Sequence, residues 1–270
     1  MSANTSIQWT DRTWNPVTGC TKVSPGCKHC YAEGVADRFW ATQYPPVEVS
    51  RTLVALEGGC STDRVTTRPR RFADVQAHED RLLEPLSWRK PARVFVNSMS
   101  DLFHEDVPDA FINKVFAVMA LMPAHTFQIL TKRAERMRDY MRDPARHHDV
   151  TMSMRGSAEM GGLGFRWPAN GRSYPRWPNE WPLRNVWLGT SVENQRFADL
   201  RIPLLLQTPA AVRFISAEPL LGLIQLDHVP IQTLKGDDFR GGADLDWCIV
   251  GGESGPGARP CAMECLESIR

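Results

Sequence analysis

The stretch WNPVTGCTKVSPGCKHCY (residues 14–31) holds three cysteines, Cys20, Cys27 and Cys30, within eleven residues. Its first six residues read as a strand, and the cysteines follow in a loop at the carboxyl end of that strand. The spacing C-x6-C-x2-C presents two thiolates from one tight turn and a third from the adjoining loop. This arrangement suits a metal ion or an iron–sulfur cluster. A four-iron cluster held by three cysteines leaves one iron open for chemistry.

Other states of these cysteines stay open. A disulfide would leave one of the three unpaired, and the first ten residues have neither the basic nor the apolar region of a secretory signal. A structural zinc ion usually needs a fourth ligand, for which His29 lies inside the C-x2-C turn and Cys60 lies thirty residues beyond Cys30. Buried, unligated thiols are a third alternative. The spacing favours a cluster over zinc and zinc over unligated thiols.

Composition sets the broad class of the protein. A chain of 270 residues suffices for one large α/β domain. The formal net charge of +1 provides no global field toward nucleic acid or a membrane. No apolar run approaches the roughly eighteen residues of a membrane span. Seven cysteines without a secretory signal fit a reducing compartment, so a cytoplasmic location is expected.

Strand and helix patterns alternate along the chain. Five apolar runs that end in polar residues predict buried parallel strands, in addition to the strand at residues 14–19. These runs are Ala92–Asp101, Thr126–Arg133, Asn185–Glu193, Val212–Pro219 and Asp246–Gly255. Helical patterns cover Tyr31–Thr42, Asp109–Met122, Ala134–Met141 and Gln195–Gln207. The alternation predicts an α/β fold with a parallel barrel or an open sheet. Of the two, we expect a partial six-stranded (β/α)6 barrel of the TIM type, as a single domain over residues 1–270.

Two segments interrupt this alternation. Residues 43–90 contain the basic stretch Thr66–Arg71, which we expect to be a solvated loop, with phosphate contact as the alternative. Residues 143–184 contain aromatic residues interleaved with prolines and arginines between Arg166 and Arg184. Such residues can clamp nucleic-acid bases. We expect them instead to form a proline-stiffened lid on the barrel.

Polar residues occupy the predicted carboxyl ends of the strands after the cysteine loop. The carboxyl ends of parallel strands form the active face of such folds, so these residues are expected to converge on the cysteines. They are Asn97, Ser98, Asp101, Lys132, Arg133, Ser191, Glu193, Ser216, Glu218, Gly251, Gly252, Glu253 and Ser254.

Several motifs carry a resemblance to a known family. They are WNPVTGC (14–20), Cys27, CYA (30–32), SMSDLFH (98–104), LTKR (130–133), SVENQ (191–195), SAEPL (216–220) and GGESGP (251–256). Through them the chain resembles a phage-associated three-cysteine family of unknown function, which is itself similar to the radical S-adenosylmethionine superfamily. That superfamily usually has C-x3-C-x2-C, whereas the first gap here is six residues.

The resemblance implies a radical enzyme. Cys20, Cys27 and Cys30 would hold a 4Fe–4S cluster whose open iron binds S-adenosylmethionine. One-electron reduction, with a flavodoxin- or ferredoxin-like protein as donor, would give a 5′-deoxyadenosyl radical that takes hydrogen from the substrate. A nucleotide or nucleic acid is the expected class of substrate, and its identity is left open.

The resemblance also implies a set of cofactor-binding residues. They are His29, Ser98, Ser100, Asp101, Lys132, Ser191, Glu193, Ser216, Glu218, Gly251 and Gly252. His29 would lie against adenine, and the residues of 98–101 would meet the methionyl end. Ser191 and Glu193 suit ribose hydroxyls, while Lys132 or Arg133 could pair with the methionyl carboxylate or a substrate phosphate.

Two other functions remain alternatives. One is a nucleic-acid-associated protein that holds zinc or a structural cluster and performs no radical chemistry. The other is an inactive, truncated remnant, because family members continue past the glycines of residues 255–257 into a further helix and strand, whereas this sequence ends at Arg270. We expect Cys261 and Cys265, near that end, to be incidental and not metal ligands.

Overall fold

The computed structural model describes residues 5, 7–55, 61–155, 180–230, 245–255 and 257–269. The strands are β1 (Arg12–Trp14), β2 (Val17–Thr18), β3 (Val47–Ala55), β4 (Ser61–Arg68), β5 (Gln76–Ala77), β6 (Arg93–Val96), β7 (Thr126–Thr131), β8 (Val186–Ser191), β9 (Val212–Ala217) and β10 (Trp247–Val250). The helices are α1 (Tyr31–Gln43), α2 (Asp109–Leu121), α3 (Ala134–Arg142), α4 (Arg146–Arg155), α5 (Gln195–Leu206) and α6 (Met263–Glu267).

A six-stranded parallel sheet forms the centre of the fold. Its strand order is β1-β6-β7-β8-β9-β10, and every neighbouring pair is parallel. The predicted α/β class, with six parallel strands neighbouring one another in chain order, is confirmed. Short apolar runs joined by helices favour this topology because a parallel neighbour requires a crossover connection.

The first strand differs from the prediction. The predicted strand at residues 14–19 is split into β1, which belongs to the main sheet, and β2, which pairs antiparallel with β5. Pro16 separates them, and proline has no N–H to donate to a sheet ladder. Its carbonyl accepts instead from the backbone N–H of His78 at 2.8 Å. The chain therefore leaves the main sheet before it reaches the cysteines.

The convex face of the sheet packs against helices. Alternate strand residues on this face are buried with apolar residues of α2 and α5 in one continuous core. The sheet contributes Trp14, Val96, Ile129, Leu188 and Ile215, all fully buried. Period-two alternation places the intervening residues on the opposite, concave face.

The concave face is strongly curved around Trp9, which precedes β1. The Trp9 ring lies 4.6 Å from the Phe95 ring on β6 and 6.0 Å from the Trp247 ring on β10. In a flat sheet, four spacings of about 4.8 Å would separate these two strands by about 19 Å. The sheet therefore bends so that its two sides approach one another. No pairing joins β1 to β10 in the described part of the chain, so the sheet is open and a barrel is not established.

The first inserted segment is more ordered than the sequence indicated. The strands β3 and β4 form an antiparallel hairpin within residues 43–90. The basic stretch Thr66–Arg71, expected to be a solvated loop, includes the end of β4 and a buried arginine. The Arg70 guanidinium lies 4.4 Å from both the Trp40 and Tyr44 rings and donates to Thr18 Oγ1 at 2.8 Å. Arg70 is therefore part of the packing beneath the cysteine loop and not of a phosphate track.

The second inserted segment begins with α4, which the sequence did not predict. Most of the aromatic and arginine-rich stretch falls within residues 156–179, outside the described residues. At its described end, Trp181 stacks near His147, packs on Phe116 and donates to the Met141 carbonyl at 3.1 Å. Trp181 precedes β8 and so lies at the amino ends of the strands, away from the cysteine loop.

Gly189 permits close packing on the concave face. An added Cβ would lie 2.6 Å from the Phe214 ring, which is itself fully buried against Trp247. Because that ring has little room to move, we predict that Gly189→Ala lowers the free energy of unfolding by about 1–3 kcal/mol. Urea denaturation measures the change. As a control, Gly34→Ala on α1 meets nothing within 4 Å and should be stabilising by about 1 kcal/mol; a stabilising Gly189→Ala would contradict this packing.

His78 makes the stability of the fold depend on pH. Thr18 Oγ1 accepts from Arg70 at 2.8 Å and lies 2.7 Å from His78 Nε2, so the imidazole is hydrogen-bonded beside a buried guanidinium. Burial, with the positive charges of Arg81 and Arg70, lowers the pKa of His78 to about 4.

The folded-state pKa lies below the usual value of about 6.5, so the folded state binds the proton more weakly than the unfolded chain. Stability from this group is complete above about pH 6.5 and decreases by up to about 3 kcal/mol as the pH falls to about 4. We predict that urea unfolding of His78→Gln depends less steeply on pH over this range than unfolding of the unmodified protein. His228→Gln, which alters an exposed histidine, should keep the original slope; equal slopes for all three proteins would refute the assignment.

Candidate functional site

A cavity of about 730 Å³ lies at the carboxyl edge of the sheet. All three cysteines of the loop, Cys20, Cys27 and Cys30, line it. So do ten of the eleven residues predicted to bind a cofactor. They are His29, Ser98, Ser100, Asp101, Lys132, Ser191, Ser216, Glu218, Gly251 and Gly252.

Sheet register explains why these residues meet. Ser191 on β8 lies directly opposite Ser216 on β9, and Ser216 lies opposite Ile249 on β10. On β9, Ser216 lies two residues after Phe214 and therefore on the same face of the strand. Asn97 follows Phe95 on β6 in the same way. The cavity therefore has polar groups at its rim and apolar side chains, including Phe95, below them.

Glu193 is the predicted cofactor residue that does not line the cavity. It is 1% exposed, accepts from the Gly26 N–H at 3.3 Å through Oε1, and pairs with Arg201 at 2.9 Å through Oε2. An added Cβ on Gly26 would lie 3.2 Å from the Glu193 carboxyl carbon, so the loop and this carboxylate are in close contact. The structure therefore places Glu193 behind the cysteine loop, where it holds the loop, and not where a ribose could reach it.

The β6–α2 connection fixes both ends of the cysteine loop. The Met99 carbonyl accepts from the N–H of Gly19, just before Cys20, at 3.1 Å. The Tyr31 hydroxyl, just after Cys30, donates to the Ser98 carbonyl. Ser100 Oγ donates to the Val17 carbonyl at 2.8 Å. Part of the SMSDLFH motif thus anchors the loop.

Asp101 joins this connection to the β7–α3 connection. It is 5% exposed, and its two carboxylate oxygens accept four hydrogen bonds. The donors are the Phe103 N–H at 3.0 Å, the Thr131 hydroxyl at 2.7 Å, the Lys132 N–H at 3.1 Å and the Arg133 guanidinium at 3.3 Å. Asp101 therefore serves mainly to align two motifs, which leaves it little capacity for the methionyl group that the resemblance assigned to it.

Arg133 contacts the cysteine loop directly. Its Nη1 lies 3.6 Å from Cys20 Sγ, and its Nη2 donates to Thr21 Oγ1 at 2.9 Å. Burial and the Asp101 carboxylate together raise the pKa of the Cys20 thiol to about 12, although the Arg133 guanidinium acts in the opposite direction. In the sequence, Arg133 stood only as an alternative to Lys132 for binding an anion.

Asn97 lines the cavity, and its side-chain amide carries an enclosed donor without a partner in the described part of the chain. It adopts a left-handed backbone conformation, with φ of 63°, and is 2% exposed. Its Oδ1 accepts from the Val17 N–H at 3.2 Å, whereas its Nδ2 has no hydrogen-bond partner among the described residues. A buried donor without a partner is costly, so the Asn97 amide lowers the stability of the fold at the wall of the cavity.

Two charged side chains also face the cavity. Lys132 Nζ donates to Ser191 Oγ at 3.1 Å. Partial burial raises the pKa of Glu218, and the charge of Lys132 acts in the opposite direction. A ligand that carries both an acceptor and a donor would find complementary groups here.

Contacts near the carboxyl terminus were not predicted from the sequence. Arg259 pairs with Glu253 and also donates to the Pro25 carbonyl of the cysteine loop at 3.0 Å. Arg259 lies outside every strand pattern, so no sequence signal identified it. The segment after β10 is thus bonded to the cysteine loop, as are the connections after β6, β7 and β8.

The described cysteines are all free thiols. Cys248, Cys261 and Cys265 pack against the main core and do not line the cavity. In the described ranges, no three or more His, Cys, Asp or Glu side chains are grouped as ligands of a single metal ion. Within those ranges, too, every helix is too short or too polar to span a membrane.

These features define an α/β protein with a cysteine-lined cavity at the carboxyl edge of an open parallel sheet. The chain belongs to the family described as protein of unknown function (DUF5131), whose model matches residues 4–270. The expected membership of a family of unknown function is confirmed, while the match states no activity, cofactor or phage origin. No match was found among curated proteins or among solved structures.

The Glu193–Arg201 pair is expected to matter for folding because both groups are buried, at 1% and 7% side-chain exposure. Glu193→Gln leaves the Arg201 charge uncompensated and should cost about 3–5 kcal/mol in the free energy of unfolding. Glu105→Gln removes a carboxylate, 63% exposed, that also pairs with an arginine of the site, and should cost less than about 1 kcal/mol. Urea denaturation compares the two variants; similar losses would show that Glu193 does not hold the loop.

Proposed function

We propose that this protein is an iron–sulfur enzyme of the radical S-adenosylmethionine type, in which Cys20, Cys27 and Cys30 hold a 4Fe–4S cluster. The observation that carries the proposal is that three cysteines of one short loop share a single cavity with the polar ends of β6 to β10. A site at the carboxyl ends of parallel strands is where such folds bind their ligands.

The residues present fit such a group in donor type and in space. Thiolates are the usual ligands of iron–sulfur clusters. A four-iron cluster takes each thiolate on a different iron, so its ligands need not converge on one atom as the ligands of zinc must. The cavity of about 730 Å³ lies within the usual range of about 300–1,000 Å³ for small-ligand sites.

When bound, the cluster and S-adenosylmethionine supply one-electron chemistry that begins hydrogen abstraction. The chain's own residues orient and shelter the ligands. Lys132 offers an ammonium to a carboxylate or phosphate, and Ser191 and Ser216 offer hydroxyls beside it. Trp9 and Phe95 form apolar surface that limits water below the polar rim. A planar, anionic substrate such as a nucleotide would match these groups.

The curvature of the sheet supports the finer part of the fold proposal. We propose that the six strands form a partial (β/α)6 barrel in one domain, with the site at its mouth. The contacts of Trp9 with Phe95 and Trp247 support it because they require the two sides of the sheet to approach. A flavodoxin- or ferredoxin-like protein is the proposed electron donor.

Anaerobic reconstitution with iron and sulfide tests the cluster. We expect about four irons and four sulfides per chain, and a reduced-state electron paramagnetic resonance signal that changes when S-adenosylmethionine is added. Replacing Cys20, Cys27 or Cys30 individually by alanine should abolish iron binding and leave a folded protein. Cys248→Ala provides a matched control, because Cys248 packs against the core and not on the cavity. Addition of dithionite and S-adenosylmethionine should then yield 5′-deoxyadenosine.

The same experiment distinguishes the alternatives. Stoichiometric zinc in place of iron, bound through the same three cysteines, would favour a structural metal site without radical chemistry. A cluster that forms but never cleaves S-adenosylmethionine would also overturn the enzymatic part of the proposal. If Cys248→Ala lowers the iron content as much as replacement of Cys20, Cys27 or Cys30 does, the cluster is not held by the cysteine loop.

A further inference from the structure

We infer that Arg133 is a positioning residue that raises the reduction potential of the cluster by donating a hydrogen bond to Cys20 Sγ. The inference rests on the proposed function and assigns to Arg133 a role that acts through the Cys20 sulfur. Its basis is the contact of 3.6 Å between Arg133 Nη1 and Cys20 Sγ.

The guanidinium is held rigidly in this position. Each nitrogen has its own acceptors: Nε donates to Glu105 at 2.9 Å, Nη2 to Thr21 Oγ1 at 2.9 Å, and Nη1 to both Asp101 at 3.3 Å and Cys20 Sγ. The side chain is 9% exposed. A planar fork with five N–H groups meets these acceptors at once, which a lysine ammonium on a flexible stem cannot do.

Thr21 adds support from the opposite side. Its Oγ1 lies 2.8 Å from His104 Nε2, and His104 Nδ1 accepts from the Asp106 N–H at 3.1 Å. Because Nδ1 is an acceptor, Nε2 carries the hydrogen and donates to Thr21. The hydroxyl next to Cys20 in the chain is therefore fixed by Arg133 and His104 together, and the guanidinium cannot turn away from the sulfur without losing these bonds.

Electrostatics gives the direction of the effect. Reduction transfers one electron from a low-potential donor to the cluster and makes the group held by the thiolates more negative by one charge. Hydrogen bonds to cluster sulfurs and nearby positive charge stabilise the more negative state, which raises the reduction potential. Glu105 and Asp101 moderate this effect, because their carboxylates face the same guanidinium.

Redox titration of the reconstituted, full-length protein tests the inference, with the potential read from the absorbance and the paramagnetic signal of the cluster. We expect Arg133→Gln to lower the potential and Arg133→Lys to lower it less. Glu105→Gln removes an opposing negative charge at an exposed position and should raise the potential. Arg136→Gln is the matched control: this neighbouring arginine bonds to the His104 and Val107 carbonyls and to Asp109 and should shift the potential far less than Arg133→Gln.

The outcomes separate this inference from the proposed function. If the unmodified protein binds no cluster, the proposed function fails and the inference with it. If all variants bind equal iron and sulfide but Arg133→Gln keeps the original potential, or Arg136→Gln lowers it as much, only the role of Arg133 is overturned. Should Arg133→Gln fail to fold, Glu105→Gln decides the matter, because an unchanged or lowered potential in that variant contradicts the inference.

Discussion

The cysteine-lined cavity depends on the four hydrogen bonds that converge on the Asp101 carboxylate. They tie the β6–α2 connection to the β7–α3 connection, and through Arg133 they reach Cys20. A buried carboxylate is costly unless it is fully hydrogen-bonded. At Asp101 the cost is offset by donors from two adjacent strand ends, so the burial of one charge fixes the relative position of two motifs.

Much of the fold could be predicted from sequence because each strand of the sheet is a short apolar run with a polar end. The ranges for β6 to β10, and for α1, α2, α3 and α5, follow from periodicity and breakers. The β3–β4 hairpin and α4 were not predicted, since β4 and α4 are largely polar and give no clear apolar pattern. The break between β1 and β2 could have been predicted from Pro16, which lacks an N–H. The nearby apolar residues Trp14 and Val17 instead suggested one continuous strand.

The position of the site could be predicted from the sequence, whereas the contacts of its individual side chains could not. Parallel topology alone brings strand ends together, which explains why Lys132, Ser191 and Ser216 line the cavity with the cysteines. It does not indicate whether a polar side chain faces the cavity or turns back to hold a loop. Glu193 turns back because Gly26 and Arg201 provide donors. Gly26 is 167 residues away in the chain, and no sequence pattern pairs either residue with Glu193.

The cysteine loop is held by the chain itself and not only by whatever its thiols bind. Connections from β6, β7, β8 and β10 each give it at least one bond: Met99 to Gly19, Arg133 to Thr21, Glu193 to Gly26, and Arg259 to Pro25. This differs from small zinc domains, in which the metal supplies the folding energy. Because the loop is ordered before a ligand binds, little binding free energy is lost in ordering it. More of that free energy can therefore orient ligands at the open face. The loop therefore does not need a metal as a structural crosslink, and the proposed cluster would serve there for chemistry.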